Sequence, residues 1–315
     1  MRSLSTRITS AVTGLAVAAG LALASTGTGT AAAAPVATAP ALFGSGDHVG
    51  PPQRDFASAY GYSVLAPTAV PSGADDWSCR PTAAHPRPVV LVHGTFENRY
   101  ANWAGLAPEL KRQGYCVYAL NYGGAVGPVT GLGDIRDSAR ELAAFVDRVR
   151  AATGAAKVDL VGHSQGGMMP RHYLKNLGGT TKVDKLVALS PTNHGTSLLG
   201  LGTMARVIPL GDEFLGLLCT ACSQQITGSD FVTALNSPGE THPGVTYTVI
   251  ATRYDEVVTP YTSSFLAAAP NVTNQRVQDF CPDDSTEHLS ISYDPVATRL
   301  VLNALDPAHA QRPAC

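Results

Sequence analysis

Ser164 is placed by its neighbours to act as a nucleophile. It stands at the centre of Gly162-His163-Ser164-Gln165-Gly166, between the apolar run Lys157-Val-Asp-Leu-Val161 and a helix-like stretch from about Gln165 to Asn176. G-x-S-x-G between a strand and a helix is the pattern of a sharp turn with a serine hydroxyl at its apex. Larger residues at 162 and 166 would run into the neighbouring strand and helix. Backbone N–H groups at the start of that helix would point toward the reacting centre. The implied chemistry is attack of a hydroxyl on an acyl carbon. His163, inside the motif, is expected to pack below the turn rather than to react.

A serine hydroxyl needs a base, and in this arrangement the chain order is serine, then acid, then histidine. Of the nine histidines, His172, His194, His242, His288 and His309 follow Ser164. The acid belongs just past a late strand, and Val245–Ala251 is followed by Thr252-Arg-Tyr-Asp-Glu-Val-Val-Thr-Pro260, which contains Asp255. His172, His194 and His242 come too early, and His309 lies in a tail with no strand to hold it. His288 remains, so Asp255 and His288 are the expected acid and base. Glu256 is the nearest rival to Asp255, whereas Asp283, Asp284 and Glu287 read as a solvated acidic loop. The developing alkoxide also needs preorganised donors, each commonly worth about 10²–10³-fold in rate. The backbone N–H of Gln165 is one candidate. Thr95, in His93-Gly94-Thr95-Phe96, is the other, with Phe96 as alternative, and the Thr95 hydroxyl could add a third donor.

These residues need a frame. Pro88-Val-Val-Leu-Val92 is a continuous apolar run, which suits a central strand buried on both faces. A helix-like stretch follows from about Trp103 to Gln113 and ends at Gly114, and Cys116-Val-Tyr-Ala-Leu120 is a second strand. Asp134 can cap a helix in which Ile135, Leu142, Phe145, Val146 and Val149 recur at three- and four-residue spacing, with Gly154 as its stop. Lys185-Leu-Val-Ala-Leu189 and Val245–Ala251 read as further strands, and the stretch from Ala37 to Tyr60 reads as irregular. Alternating strands and helices predict one α/β domain, a mostly parallel sheet with helices on both faces. The connection between Leu189 and Val245 far exceeds the usual 2–6 residues. It is apolar around Leu198–Leu218, so residues 191–243 are expected to form either a cap or lid insertion that binds an acyl chain or additional core.

Composition sets outer limits. The chain of 315 residues is 44% hydrophobic and 15% charged, enough apolar content for one sizeable core,. A net charge of −2 gives no electrostatic footprint for nucleic acid,. Arg2 and Arg7 precede an Ala-rich apolar run and a small-residue end at Ala31–Ala34, the pattern of a cleaved secretory signal over residues 1–34. Its removal takes two positive charges off the net −2 and leaves −4. The remaining chain, 35–315, is expected to be secreted, extracellular and without a transmembrane segment, and we take it as a monomer. In an oxidising compartment Cys79, Cys116, Cys219, Cys222, Cys281 and Cys315 are expected to form disulfides. Six cysteines permit 15 connectivities, and their spacing does not choose among them. Neither a metal nor an organic cofactor is expected.

Together these segments resemble the class 2 secreted lipases of the α/β-hydrolase superfamily. The resemblance runs through Trp77-Ser-Cys-Arg-Pro81, Val92-His-Gly-Thr95, Gly162-His-Ser-Gln-Gly-Gly167, Pro191-Thr-Asn-His-Gly-Thr196, Tyr254-Asp-Glu-Val-Val-Thr-Pro260 and Glu287-His288. The chain also looks like a more distant relative of Candida antarctica lipase B, from which it departs by having His163 in place of a tryptophan. The resemblance implies an α/β-hydrolase fold and hydrolysis of carboxylesters or triacylglycerols by Ser164, Asp255 and His288, with lipid or ester as the partner. It also suggests that Cys79 bridges Cys116, leaving Cys219–Cys222 and Cys281–Cys315 as the other pairs. A polyester hydrolase would use the same triad with an open cleft. A non-catalytic secreted binding protein on a hydrolase scaffold is the reading from another class.

Overall fold

A computed structural model describes residues 47–197, Gly200 and 219–315. The expected leader at 1–34 and the parts of the expected cap at 198–199 and 201–218 lie outside the described residues. Six strands make a wholly parallel sheet. They are β1 (Val89–Val92), β2 (Val117–Leu120), β5 (Val158–His163), β6 (Val183–Leu189), β7 (Thr246–Ala251) and β8 (Val272–Arg276). Their order across the sheet is β2-β1-β5-β6-β7-β8. The short strands β3 (Ala125–Val126) and β4 (Val129–Thr130) pair separately as an antiparallel ribbon.

Strand alternation divides the apolar residues into two layers. Val90 and Val92 of β1 face one core with α4 (Ile135–Thr153) and α5 (Gln165–Asn176). Val89 and Leu91 face the other, with α3 (Leu106–Arg112) and α6 (Pro295–Leu305). Successive strand residues point to opposite faces, so a strand covered on both sides must be apolar throughout. That is why β1 reads Val-Val-Leu-Val. Burying each such side chain contributes about 1.5–3 kcal/mol before the entropy cost of ordering it. Helix α4 follows the sequence closely: Ile135, Ala139, Leu142, Val146 and Val149 are buried, Asp134 accepts from the Arg136 N–H, and Gly154 takes φ +72° as C-cap.

Three expectations need correction. The helix expected from about Trp103 to Gln113 is α3, Leu106–Arg112, and a separate short helix, α2 (Arg99–Trp103), precedes it. Asn98 starts α2 by accepting from the N–H groups of Tyr100 and Ala101. At the break, a Cβ on Gly105 would sit 2.8 Å from the Tyr293 ring. Pro108 then falls in the first turn of α3, where its missing N–H costs nothing. Second, the stretch Ala37–Tyr60 is not irregular to its end, because α1 (Phe56–Leu65) begins there under an Asp55 cap that accepts from the Ser58 N–H at 2.8 Å. Third, β8 and α6 lay outside the predicted pattern. The former reads Val-Thr-Asn-Gln-Arg, a polar edge strand without the apolar run that marks a central one.

Because the sheet is parallel, the chain leaves the C-terminal ends of its strands on one edge, where ligands of open α/β sheets bind. Thr95 follows β1, Ser164 follows β5, Asp255 follows β7, and His288 lies beyond β8. Disulfides join Cys79 to Cys116, Cys219 to Cys222 and Cys281 to Cys315. No helix among the described residues is long and apolar enough to cross a membrane.

Candidate active site

Ser164 occupies the turn between β5 and α5 with φ +53° and ψ −122°. That is a strained conformation for a residue with a Cβ, of the kind that costs about 1–3 kcal/mol and concentrates at functional sites. The flanking glycines make the turn possible. A Cβ on Gly162 would lie 1.9 Å from the Gly166 carbonyl oxygen, and one on Gly166 would lie 2.1 Å from the Val92 carbonyl oxygen. Neither contact can be relieved by a side-chain rotation, because both partners are backbone. Ser164 is the residue before the first turn of α5 but makes no side-chain cap to it. Its Oγ is buried and has no hydrogen-bond partner among the described residues.

His288 is fully buried and meets Asp255 through Nδ1, 2.9 Å from Oδ2. The other carboxylate oxygen accepts from the N–H groups of Val257 (3.0 Å) and Val258 (2.7 Å). Asp255 is thereby oriented by its own loop before it touches the ring. Burial alone would raise its carboxyl, but the His288 ring and these donors outweigh burial and hold it below the usual carboxylate range. For His288, burial favours the neutral ring, and the Asp255 carboxylate overrides it, raising the imidazole above its ordinary value. With Nδ1 occupied, Nε2 of His288 is left without a partner among the described residues. The ring lies beside the serine turn, its centroid 4.9 Å from that of His163.

The rival acids are engaged elsewhere. Glu256 approaches the backbone N–H of His288 at 3.4 Å, not the ring. Glu287 accepts from the N–H groups of Leu289 and Ser290, and Asp284 from that of Thr286, so both cap local turns. Among the other histidines after Ser164, His194 pairs with Glu240 at 2.9 Å, and His309 pairs with Asp306 in an exposed turn.

The expected oxyanion donors come together as well. Thr95 and Gln165 are buried, and the Thr95 hydroxyl donates to Gln165 Oε1 at 2.6 Å. That hydrogen is committed to Gln165, so the added hydroxyl donor expected at Thr95 is not free in this arrangement. The backbone N–H of Gln165, first in its helix, has no intrahelical acceptor by construction. Phe96, the alternative to Thr95, takes φ +63° and buries its ring in the core.

Three neighbours escaped the sequence reading. Gln225 donates from Nε2 to Thr95 Oγ1 (2.8 Å) and accepts from Thr192 at 2.9 Å, so it braces the oxyanion pair. Nothing in the sequence signals this, since Gln225 lies 130 residues from Thr95 inside the long insertion. Glu97 and Asn102 are fully buried against His163. A carboxylate three residues past Gly94, in a loop leaving a central strand, was the available clue. Among the described residues no group of three or more His, Cys, Asp or Glu side chains could hold a metal ion.

Residues 86–300 match the family model described as Lipase (class 2). The chain belongs to the class 2 lipase family. It is 42% identical over 98 residues to a triacylglycerol lipase of Pseudarthrobacter phenanthrenivorans, a stretch covering 29% of this chain and 28% of that protein. It is 28% identical over 202 residues to lipase B of Pseudozyma antarctica, covering 61% of this chain and 54% of that one. The matched stretches thus span little more than half of these relatives' length at most. Among solved structures, lipase B of Aspergillus fumigatus superposes with a TM-score of 0.61 at 23% identity, over 78% of this chain and 56% of that one. That likeness, at such identity, is one of fold: the α/β-hydrolase frame of this class 2 lipase family member.

Proposed function

We propose that this chain is a secreted serine carboxylester hydrolase acting on triacylglycerols through Ser164, His288 and Asp255. The observation that carries the reading is the state of His288: Nδ1 bound to Asp255 at 2.9 Å, Nε2 open, and the ring beside a strained serine turn. In this reading Ser164 Oγ attacks the ester carbonyl while His288 Nε2 takes its proton. Asp255 holds the tautomer and stabilises the imidazolium, and the N–H groups of Thr95 and Gln165 bind the oxyanion. His288 then protonates the departing alcohol. Water repeats the sequence on the acyl-enzyme and releases the fatty acid. Triacylglycerol as substrate is supported by family membership and by likeness to the triacylglycerol lipase of Pseudarthrobacter phenanthrenivorans. Export is supported by the leader pattern at 1–34 and by three disulfides,. We take residues 35–315 as one domain, with 191–243 as its insertion.

The test is titration of fatty acid released from short- and long-chain triglyceride emulsions, wild type against Ser164→Ala. Release by the wild type and none above background by the variant is the expected result. Equal inactivity of both on every ester offered, polyester film included, would overturn it in favour of a binding protein. The chain-length profile separates lipase from esterase.

A further inference from the structure

A second polar cluster lies directly beneath the site. Glu97, Asn102 and His163 are each fully buried. Nδ1 of His163 lies 3.2 Å from Glu97 Oε2 and 3.3 Å from Asn102 Oδ1. Those same two oxygens accept from the Gly94 N–H, at 3.2 and 3.0 Å. On its far side the ring reaches the loop of the general base, with Nε2 2.9 Å from the backbone carbonyl oxygen of His288. A carbonyl oxygen can only accept, so Nε2 of His163 carries the proton of that bond.

The cluster is costly as a device for stability. Buried carboxylate, amide and imidazole groups each lose hydration that their partners must replace, and apolar side chains of similar volume would do as well or better. Glu97 Oε1 and Asn102 Nδ2 remain buried without a hydrogen-bond partner among the described residues. What apolar residues could not do is grip a specific carbonyl. Here one side chain, rooted next to Ser164, holds the chain at His288 and is itself held to the loop that carries Thr95.

We propose that His163 is a positioning residue for the general base: its Nε2–H fixes the carbonyl of His288, while a proton held between Nδ1 and the Glu97 carboxyl ties the ring to Glu97, which with Asn102 registers it against the oxyanion loop. The inference rests on the reading of Ser164, Asp255 and His288 given above. Displacing a reacting group by about 1 Å costs on the order of 10²-fold in rate, so loss of the grip should appear in kcat. Substrate binding does not use this bond, so KM should stay.

Three variants test it with a soluble short-chain ester, their folding checked by thermal melts. His163→Met fills the space but cannot donate, and kcat should fall at least about tenfold with KM within about twofold. His163→Gln places an amide N–H where Nε2 stood and should recover at least about a third of wild-type kcat. His163→Asn keeps a polar partner for Glu97 but falls short of His288. It should behave like the Met variant, and it answers the case in which an unpaired Glu97 prevents that one from folding. Equal losses in the Gln and Met variants, or wild-type kcat in all folded variants, would overturn the proposal. In the unmodified protein, ¹⁵N-histidine spectra should show Nε2 of His163 protonated at every pH where the enzyme works, and an unprotonated Nε2 would also overturn it. Ser164→Ala separates the two levels. An active Ser164→Ala removes the site reading and this inference with it, whereas an inactive one beside a fully active His163→Met removes the inference alone.

Discussion

Two histidine–carboxylate pairs lie back to back in this molecule, and on the function proposed above only one of them moves a proton. His163 with Glu97 and His288 with Asp255 are both fully buried at the ring, with the two rings 4.9 Å apart. Each has a carboxylate near Nδ1, at 3.2 and 2.9 Å. They differ at the other nitrogen. Nε2 of His163 is tied to a backbone carbonyl, while Nε2 of His288 has no hydrogen-bond partner among the described residues. They differ too in how the carboxylate is completed, for Asp255 Oδ1 takes two backbone N–H groups and Glu97 Oε1 takes none. Residue type and burial are therefore poor guides to a catalytic histidine. The unoccupied nitrogen is the better one.

The comparison breaks most sharply under the same substitution at both rings. His288→Gln should cost about 10⁶-fold in kcat, the scale on which removing a triad histidine acts elsewhere. His163→Gln should stay within a few-fold, and steady-state hydrolysis of a soluble ester measures both. Asp255→Asn should cost about 10⁴-fold. Glu97→Gln, whose amide can still hold the His163 ring, should stay under about tenfold by the same assay.

The pH profile sharpens the contrast. In the mechanism proposed above His288 must be neutral to take a proton, and Asp255 raises its pKa, so kcat/KM should be lost as pH falls through a value above the ordinary imidazole pKa of about 6.5,. In Asp255→Asn only burial and more distant charges remain, and the acid limb should move down. An unmoved limb would mean that another group controls it. For stability the two partners act in opposite directions. The raised His288 contributes most at low pH and loses its contribution as pH rises through its folded value, whereas the lowered Asp255 contributes at high pH and loses its share as pH falls,.

Smaller effects are expected farther out. Gln225→Leu removes the donor to Thr95, and loss of one buried hydrogen bond of about 1–1.5 kcal/mol should lower kcat roughly tenfold,. Replacing Cys79 and Cys116 together by serine should lower stability by about 2–4 kcal/mol in denaturant melts, because their bond closes a long loop,. Activity of the folded remainder should hardly change, since that bridge lies away from the serine turn.

The sequence was most legible where sterics leave one solution. Gly162 and Gly166 are demanded by backbone atoms about 2 Å from where a Cβ would stand, and β1 must be apolar because both of its faces are covered. Asp255 and His288 could be reached by chain order alone, and they do meet. The close approach that keeps position 105 a glycine was not legible, because the ring it meets, that of Tyr293, is far along the chain. The cluster under the serine was hidden for the same reason: His163 reads as a packed ring until the carbonyl it touches, 125 residues away, is known. Polar β8 was missed because an edge strand carries little of the apolar signal that marks its neighbours.

That long-range bond also bears on the order in which the molecule matures. The oxyanion loop and the serine turn lie on β1 and β5, neighbours in the middle of the sheet, and can be framed early in folding. His288 follows β8, at the sheet's edge, and contacts so distant in sequence close late because the intervening chain must first be ordered,. On the reading proposed here, a chain arrested before that last docking would hold a shaped serine with no base. Hydrolytic competence would then arrive as the final step of folding.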